Sequence, residues 1–399
     1  MRRIYGAVLF GLLFLLVGTP SFGSDTQIPS SQATLIDTVN FYRVASGLKP
    51  ITEDKQLSVA VIKHIRYLTM SDPKYFTGKY VSRHLENPAS PYYTMEGSHS
   101  GQELTSTLTN DQSQSVDRWM SAPFHAIGLM REGLFKIGWA SAYNPQTGFY
   151  DTGADVLDRL KLRRTKIITF PGNGSYSRMD NFQGESPDPR EACGTNYQSF
   201  TGLPIWVSLL AKPPHQMSTQ LVTPSGGVVS SRDQLCIVNE LTMKSSDSLY
   251  GPAGRAIVRS DHMVLIFPKN PLQPGLQKVS LFLQGQQEIS WSFTVIASPP
   301  AIVISSLNSQ AEISWSAPPS QAGNPTLGYD VVVGDADLKK FQIFRTAATT
   351  FPTSRIGPGN HWLCVKAIAR YRSGECPNFT SYTENQGTAD HTSASPIKS

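Results

Sequence analysis

The sequence is poor in charge. Asp, Glu, Lys and Arg together make up 16% of its 399 residues, and the formal net charge is +5. Its basic residues are scattered apart from the short cluster Lys161, Arg163, Arg164 and Lys166. A phosphate backbone is held by a dense basic stripe, so nucleic-acid binding is excluded and the cluster reads as solvated surface. Long apolar runs are equally scarce. The one present, residues 7–17, is shorter than the roughly 20 residues a helix needs to cross a bilayer. It follows Arg2 and Arg3, is closed by Gly18 and Pro20, and leads to the small residues Ser21 and Gly23, the order of a cleavable export signal. No cysteine stands at the cleavage site to carry a lipid, and the tail 385–399 is polar, so no stable membrane anchor is expected. The mature chain is expected to be secreted, extracellular or periplasmic. Loss of Arg2 and Arg3 leaves a formal charge of +3, because no acidic residue precedes Asp25.

Cysteine is scarce too. The four present are an even number in an exported chain, which favours disulfides over catalytic thiols. The natural sequential pairs are Cys193 with Cys236 and Cys364 with Cys376. A serine-hydrolase elbow is also missing: Gly97-Ser98-His99-Ser100-Gly101 has histidine where Gly-x-Ser-x-Gly needs serine, and no β run precedes it.

The remaining signal is a change of period along the chain. Up to about residue 140 the pattern is helical: Leu35, Val39 and Tyr42 recur at helical spacing, followed by Leu57, Ala60, Val61, His64, Ile65 and Leu68. His64 lies on that apolar stripe and reads as a hydrogen-bonded core residue. A third helix near Ser113 or Ser115 would bury Val116, Trp119 and Met120. Beyond residue 165 the period shortens to two, with strands expected at 166–170, 203–210, 263–267 and 279–283 and turns at 224–227 and 271–275. Pro299-Pro300 reads as a linker into a last β unit. In that unit Ile313 and Trp315, then Tyr329, Val331 and Val333, alternate with polar neighbours. A stretch of about a hundred residues with a buried Trp on an early strand looks like a fibronectin type III sandwich.

Phrases spread over the first unit carry a second resemblance. They are Asn40-Phe41-Tyr42-Arg43 with Gly47, Leu48 and Pro50; His84-Leu85-Glu86 ahead of Glu96-Gly97; and Trp119-Met120-Ser121-Ala122-Pro123-Phe124-His125, followed by Gly138. In order and spacing they resemble the CAP superfamily (cysteine-rich secretory, antigen 5 and pathogenesis-related proteins), in its bacterial branch, where a Trp-containing helix runs into a short Pro-x-His turn. The resemblance implies an α-β-α sandwich whose cleft carries two histidines and acidic residues and often holds a divalent metal. Carried over by position, the histidines are His84 and His125 and the first acidic residue is Glu96. The second should fall at 122, where this chain has Ala122; Glu86 could substitute, since i and i+2 share a side in an extended segment.

The expected architecture is α+β: a CAP α-β-α sandwich followed by two all-β sandwich domains. Its expected divisions are a signal peptide 1–23, the CAP domain 24–190, an Ig-like unit 198–298, a fibronectin type III-like unit 301–384 and a polar tail 385–399. The expected site is a cleft of His84, Glu86, Glu96 and His125, with His84 and His125 the donors for a divalent metal such as zinc. His84 and His125 are 41 residues apart, a separation that is no metal motif by itself. Function is read as binding, with a small lipid, glycan or peptide ligand or a cell-surface partner and no assigned catalytic residue. The alternative is an extracellular metal- or His/Glu-dependent hydrolase.

Overall fold

The computed structural model describes residues 34–384, apart from 110–113, 145–147, 198–199, 285–287, 309–311, 320–323, 338–340, 370–371, 373 and 375–378. The export signal, the polar tail and Cys376 lie outside the described residues. Among those described, no helix is long and apolar enough to cross a membrane.

The first unit opens with helix α1, Leu35–Ala45, capped by Thr34, whose side chain accepts from Asp37 N. Strand β1, Thr52–Glu53, leads to helix α2, Lys55–Met70, capped by Asp54. Then come α3, Met95–Glu103; β2, Leu104–Thr109; α4, Ser115–Ser121; α5, Pro123–Met130; β3, Lys136–Asn144; and β4, Phe149–Asp155. The four strands form one sheet in the order β1-β3-β4-β2, with β1 parallel to β3 and the other pairs antiparallel. Helix α2 covers one face, burying Val61, Ile65 and Leu68 with Leu104 and Ala140. Helices α1, α4 and α5 bury Val39, Trp119 and Ile127 in the other core layer. This is the expected α-β-α sandwich. Its Gly138 is where α2 crosses β3: a Cβ there would overlap Leu57 and Ser58. The Pro-x-His turn is in fact the start of α5. Pro123 occupies the first helical turn, where its missing N–H costs nothing.

Two residues of the Asn40-to-Arg43 phrase explain how α1 is held. The Asn40 side chain donates to Ile51 O (2.9 Å) and accepts from Ile51 N (2.7 Å), pinning the β1 approach to the helix. Arg43 is completely buried and has no carboxylate at hand. Its guanidinium donates to the backbone carbonyls of Lys49, Leu129, Arg131 and Leu134. Burial pushes it down to about 10, so it stays charged at neutral pH.

The second unit is a β-sandwich. It contains β5, Ile168–Phe170; β6, Ser175–Ser177; β7, Asn181–Phe182; β8, Thr201–Gly202; β9, Ile205–Ser208; β10, Met217–Val222; β11, Val228–Val229; and β12, Leu235–Val238. Helix α6, Gly251–Ser260, intervenes before β13, Met263–Pro268; β14, Gly275–Leu283; and β15, Ile289–Val295. A five-stranded sheet, β11-β10-β14-β15-β6, faces a four-stranded one, β12-β13-β9-β5. Strands β5, β6 and β7 lie before residue 190, inside the span assigned from sequence to the first unit, yet β5 and β6 are hydrogen-bonded into the sandwich sheets and β7 pairs with β8. Cys193 pairs with Cys236 as expected, tying the segment after β7 to β12.

The third unit packs the sheet β16-β17-β20 (Ile304–Asn308, Glu312–Trp315, Thr350–Pro352) on β19-β18-β21-β22 (Phe341–Thr346, Thr326–Gly334, Gly359–Ala369, Thr380–Glu384). Three strands on four, with Trp315 buried edge-on against Tyr329, is the sandwich expected from sequence. Its core is its own. Cys364 is disulfide-bonded. The first two units, by contrast, share one continuous core: Tyr42 of α1 meets Phe170, which stacks on Trp206.

Arg43 supplies a direct test of this packing. Arg43→Met should destabilise the chain by about 3 kcal/mol or more, because four carbonyls lose their donor while the apolar volume is kept. Arg43→Lys, with fewer and differently directed donors, should recover only part of that loss. Urea denaturation followed by Trp fluorescence measures both.

Candidate functional site

The four residues singled out from the sequence have separate fates. Glu86 is buried and fully engaged: Oε1 lies 2.9 Å from His64 Nδ1, and Oε2 accepts from Thr94 N at 3.1 Å. His64 Nε2 in turn faces Arg83 O at 2.8 Å. The carbonyl can only accept, so His64 Nε2 is the donor in that bond. Helix α3 lies directly on this pair. A Cβ at Gly97 would come within 2.7 Å of Glu86 Oε1, and one at Gly101 within 2.6 Å of His64 Nδ1. The Glu-Gly step therefore marks close approach of a helix to this buried hydrogen-bonded lock.

Glu96 points away from that lock. Its side chain is 63% exposed and pairs with Lys63 at 3.3 Å, and no hydrogen bond or ion pair among the described residues joins it to either candidate histidine. Its carboxyl is held low, chiefly by its own backbone amide and then by Lys63.

His84 and His125 have separate hydrogen-bond partners. His84 Nδ1 donates to Gly101 O at 3.0 Å. Burial pushes its imidazole below the ordinary value; the Gly101 bond opposes this, while the charges of His64, His125 and Arg83 reinforce it. His125 Nδ1 lies 2.9 Å from Glu185 Oε2, and the Phe124 amide donates to both oxygens of the same carboxylate at 3.2 Å. The Glu185 side chain is 1% exposed. Burial raises its carboxyl, His125 and the Phe124 amide pull it back, and Asp188 adds to the rise.

Glu185 brings a carboxylate to His125 from a segment beyond the first unit's sheet. Sequence reasoning missed it because residues 184–188, Gly-Glu-Ser-Pro-Asp, have no period and no fixed spacing to His125. The one available hint was that the resemblance expects an acid at 122, where this chain has Ala122. Tyr250, just before α6, was missed for the same reason. Its ring stands edge-on to His84 at 5.8 Å, and its hydroxyl donates to Ser82 Oγ and accepts from Arg83 N, both at 3.2 Å. Arg83 is ion-paired with the buried Asp151 of β4. The wall that carries Glu185 is itself braced. Cys193 is disulfide-bonded to β12, Arg190 sits 4.5 Å over the Phe182 ring, and Ser186 bonds Asp247 in the loop leading to Tyr250.

The comparisons agree with this geometry at the level of the first unit. The family model described as CAP, Cysteine-rich secretory protein family, matches residues 36–154. Residues 36–154 are a CAP domain. No curated protein matches the chain. Among solved structures, a two-fibronectin type III segment from chicken tenascin is 15% identical, covering 45% of this chain and 92% of its own, with a TM-score of 0.19. A set of domains from titin is 10% identical, covering 61% of this chain and 82% of its own, with a TM-score of 0.24. Scores this low leave the sandwich assignment to the strand order itself. The CAP match ends at the last strand of the first sheet, so Glu185 and Tyr250, the partners of His125 and His84, come from outside the matched residues.

Removing the added carboxylate tests that arrangement. Glu185→Ala should cost about 2 to 4 kcal/mol, since the Phe124 amide and the His125 Nδ1–H both lose their acceptor in a buried place. Glu185→Gln, which keeps an acceptor oxygen, should cost clearly less. Thermal and urea unfolding of the two variants decide it. A second readout follows from His84: the unfolded chain takes up a proton near pH 6.5 while the folded imidazole resists it, so stability from this group is present above that pH and falls on acidification.

Proposed function

We propose that the chain is an exported binding protein whose CAP head captures a small ligand in a cleft completed by the second unit, with the β-sandwiches as spacer and adhesion surfaces. The observation that carries this reading is the shared state of the two histidines. Each gives its Nδ1–H to a fixed acceptor, Gly101 O or Glu185, and neither Nε2 has a hydrogen-bond partner among the described residues. Two imidazoles so oriented present Nε2 to a donor group or to a divalent ion, and the Nδ1 bonds favour the tautomer that an ion would need.

Zinc is the ion that suits such donors. Among the described residues no group of three or more His, Cys, Asp and Glu side chains is disposed around one ion. A captured metal would then keep open positions for water or for a lipid, glycan or peptide group. The buried His125–Glu185 pair also has the composition of a general base, which is the form the hydrolase alternative takes.

Calorimetric titration with zinc chloride, on the whole chain at pH 7.5 and 5.5, tests the reading. Saturable binding is expected at pH 7.5, lost at pH 5.5 as the imidazoles protonate, and weakened at least about tenfold by His125→Ala. Equal binding by wild type and His125→Ala would remove the shared site. Ester, peptide or glycoside turnover that disappears in Glu185→Gln would favour the hydrolase.

A further inference from the structure

A second cavity lies on another part of the molecule, where the head, the segment 157–167 and the second unit meet. It measures about 450 Å³, the size of a small-molecule site, and sits at a junction between units, where such sites concentrate. Its floor is apolar and buried, formed by Met130 of α5, Ile168 of β5, Trp206 of β9 and Met263 of β13. Its rim is cationic, carrying Arg131, Lys161, Arg163 and Arg164, three of them from the basic cluster read from sequence as plain surface.

The charges on the rim do not cancel. Two carboxylates also line the cavity, Glu132 and Asp261. Asp261 is taken by Arg131 at 2.9 Å and Glu132 by Arg163 at 3.1 Å. Arg164 donates to His262 Nδ1 at 2.6 Å and reaches Asp261 only at 3.9 Å. Lys161 rests 4.8 Å over the Phe135 ring and has no carboxylate partner among the described residues. Between Lys161 and Arg163 stands Leu162, which lines the mouth and is 99% exposed. An apolar side chain left wholly in water gains when an apolar tail covers it.

We propose that this cavity binds an anionic single-chain amphiphile, its tail on the Met130, Ile168, Trp206 and Met263 floor and its headgroup between Lys161 and Arg164. An apolar floor under a net positive rim is complementary to that chemistry at both ends, and a carboxylate or phosphate headgroup would serve equally. The site uses none of the groups around His84 and His125 and stands independently of the binding reading given for them.

Calorimetric titration of the full chain with sodium dodecanoate, dodecyl phosphate and dodecylamine tests it. One molecule of dodecanoate or dodecyl phosphate should bind per chain, the tighter of the two identifying the headgroup, and dodecylamine should bind at least about tenfold more weakly. The exposed double substitution Lys161→Glu and Arg163→Glu, checked by an unchanged melting profile, should weaken the anions about tenfold or more. Leu162→Asp should weaken them as well, and His125→Ala should leave them unchanged. The proposal is overturned if the amine binds as well as the anions, if neither surface variant alters affinity, or if His125→Ala abolishes binding. Association with phosphatidylglycerol vesicles without uptake of the monomeric anions would also overturn it, marking the loop as a membrane-surface contact.

Discussion

The apolar seam between the head and the second unit is the constraint on which the rest of the structure depends. Helices α1, α4 and α5 would expose Tyr42, Met130 and their neighbours if the head stood alone; here Phe170, Trp206 and Met263 cover them within one core. Each buried aromatic ring removes about 150 to 250 Å² from water, so the chain of three rings, Tyr42 tilted on Phe170 and Phe170 stacked on Trp206, contributes at most about 11 to 19 kcal/mol on the usual area scale. The seam is also pinned by charge. Tyr42 donates to Asp117 at 2.8 Å, and Arg178, from the second unit, reaches the same carboxylate oxygen at 2.6 Å. Burial and the Asp117 charge push the Tyr42 hydroxyl well above its ordinary value, while Asp117 holds the Arg178 guanidinium up against burial. A desolvated trio of this kind adds little net stability but fixes register, because sliding the units would leave a charge buried without its partner.

Register at the seam sets the surroundings of His84 and His125. Glu185 and Tyr250 reach His125 and His84 only because the second unit is held in place. The Cys193–Cys236 bond and the Ser186–Asp247 bond then hold the two delivering loops to each other and to β12. Burial of Glu185 works against its ionised form. That cost is offset by the Phe124 amide and by His125, which together keep the imidazole oriented. Gly254 shows how tight the fit is, since a Cβ there would meet Pro187 Cγ at 2.5 Å and Phe124 Cζ at 3.2 Å.

Much of the fold was legible in the sequence because local rules and tertiary packing agree in its regular elements. The apolar stripe of α2, the alternation in the third unit and the Cys193–Cys236 pairing all follow from spacing alone. Pro123 was read as a turn because proline punctuates turns and first helical turns alike. The site was only half legible. His84 and His125 could be carried over by position, but Glu86 was assigned to the cleft when its helix-facing neighbour, His64, claims it. Glu96 was assigned there although it lies exposed in the first turn of α3, paired with Lys63. Glu185 and Tyr250 were invisible, since no periodicity connects a loop 60 residues downstream, or one 125 residues downstream, to His125. Only the packing of the second sandwich on the head brings them there.

Native-state hydrogen exchange of the whole chain at increasing urea concentrations measures this dependence most directly. If the seam makes the first two units one cooperative body, the amides of Leu129 and Met130 in α5 and those of Leu265 and Ile266 in β13 should open at the same free energy, with a common denaturant slope. Opening of α5 at a distinctly lower free energy, with β13 still protected, would contradict the account and leave the CAP head as an independent domain merely resting on its neighbour.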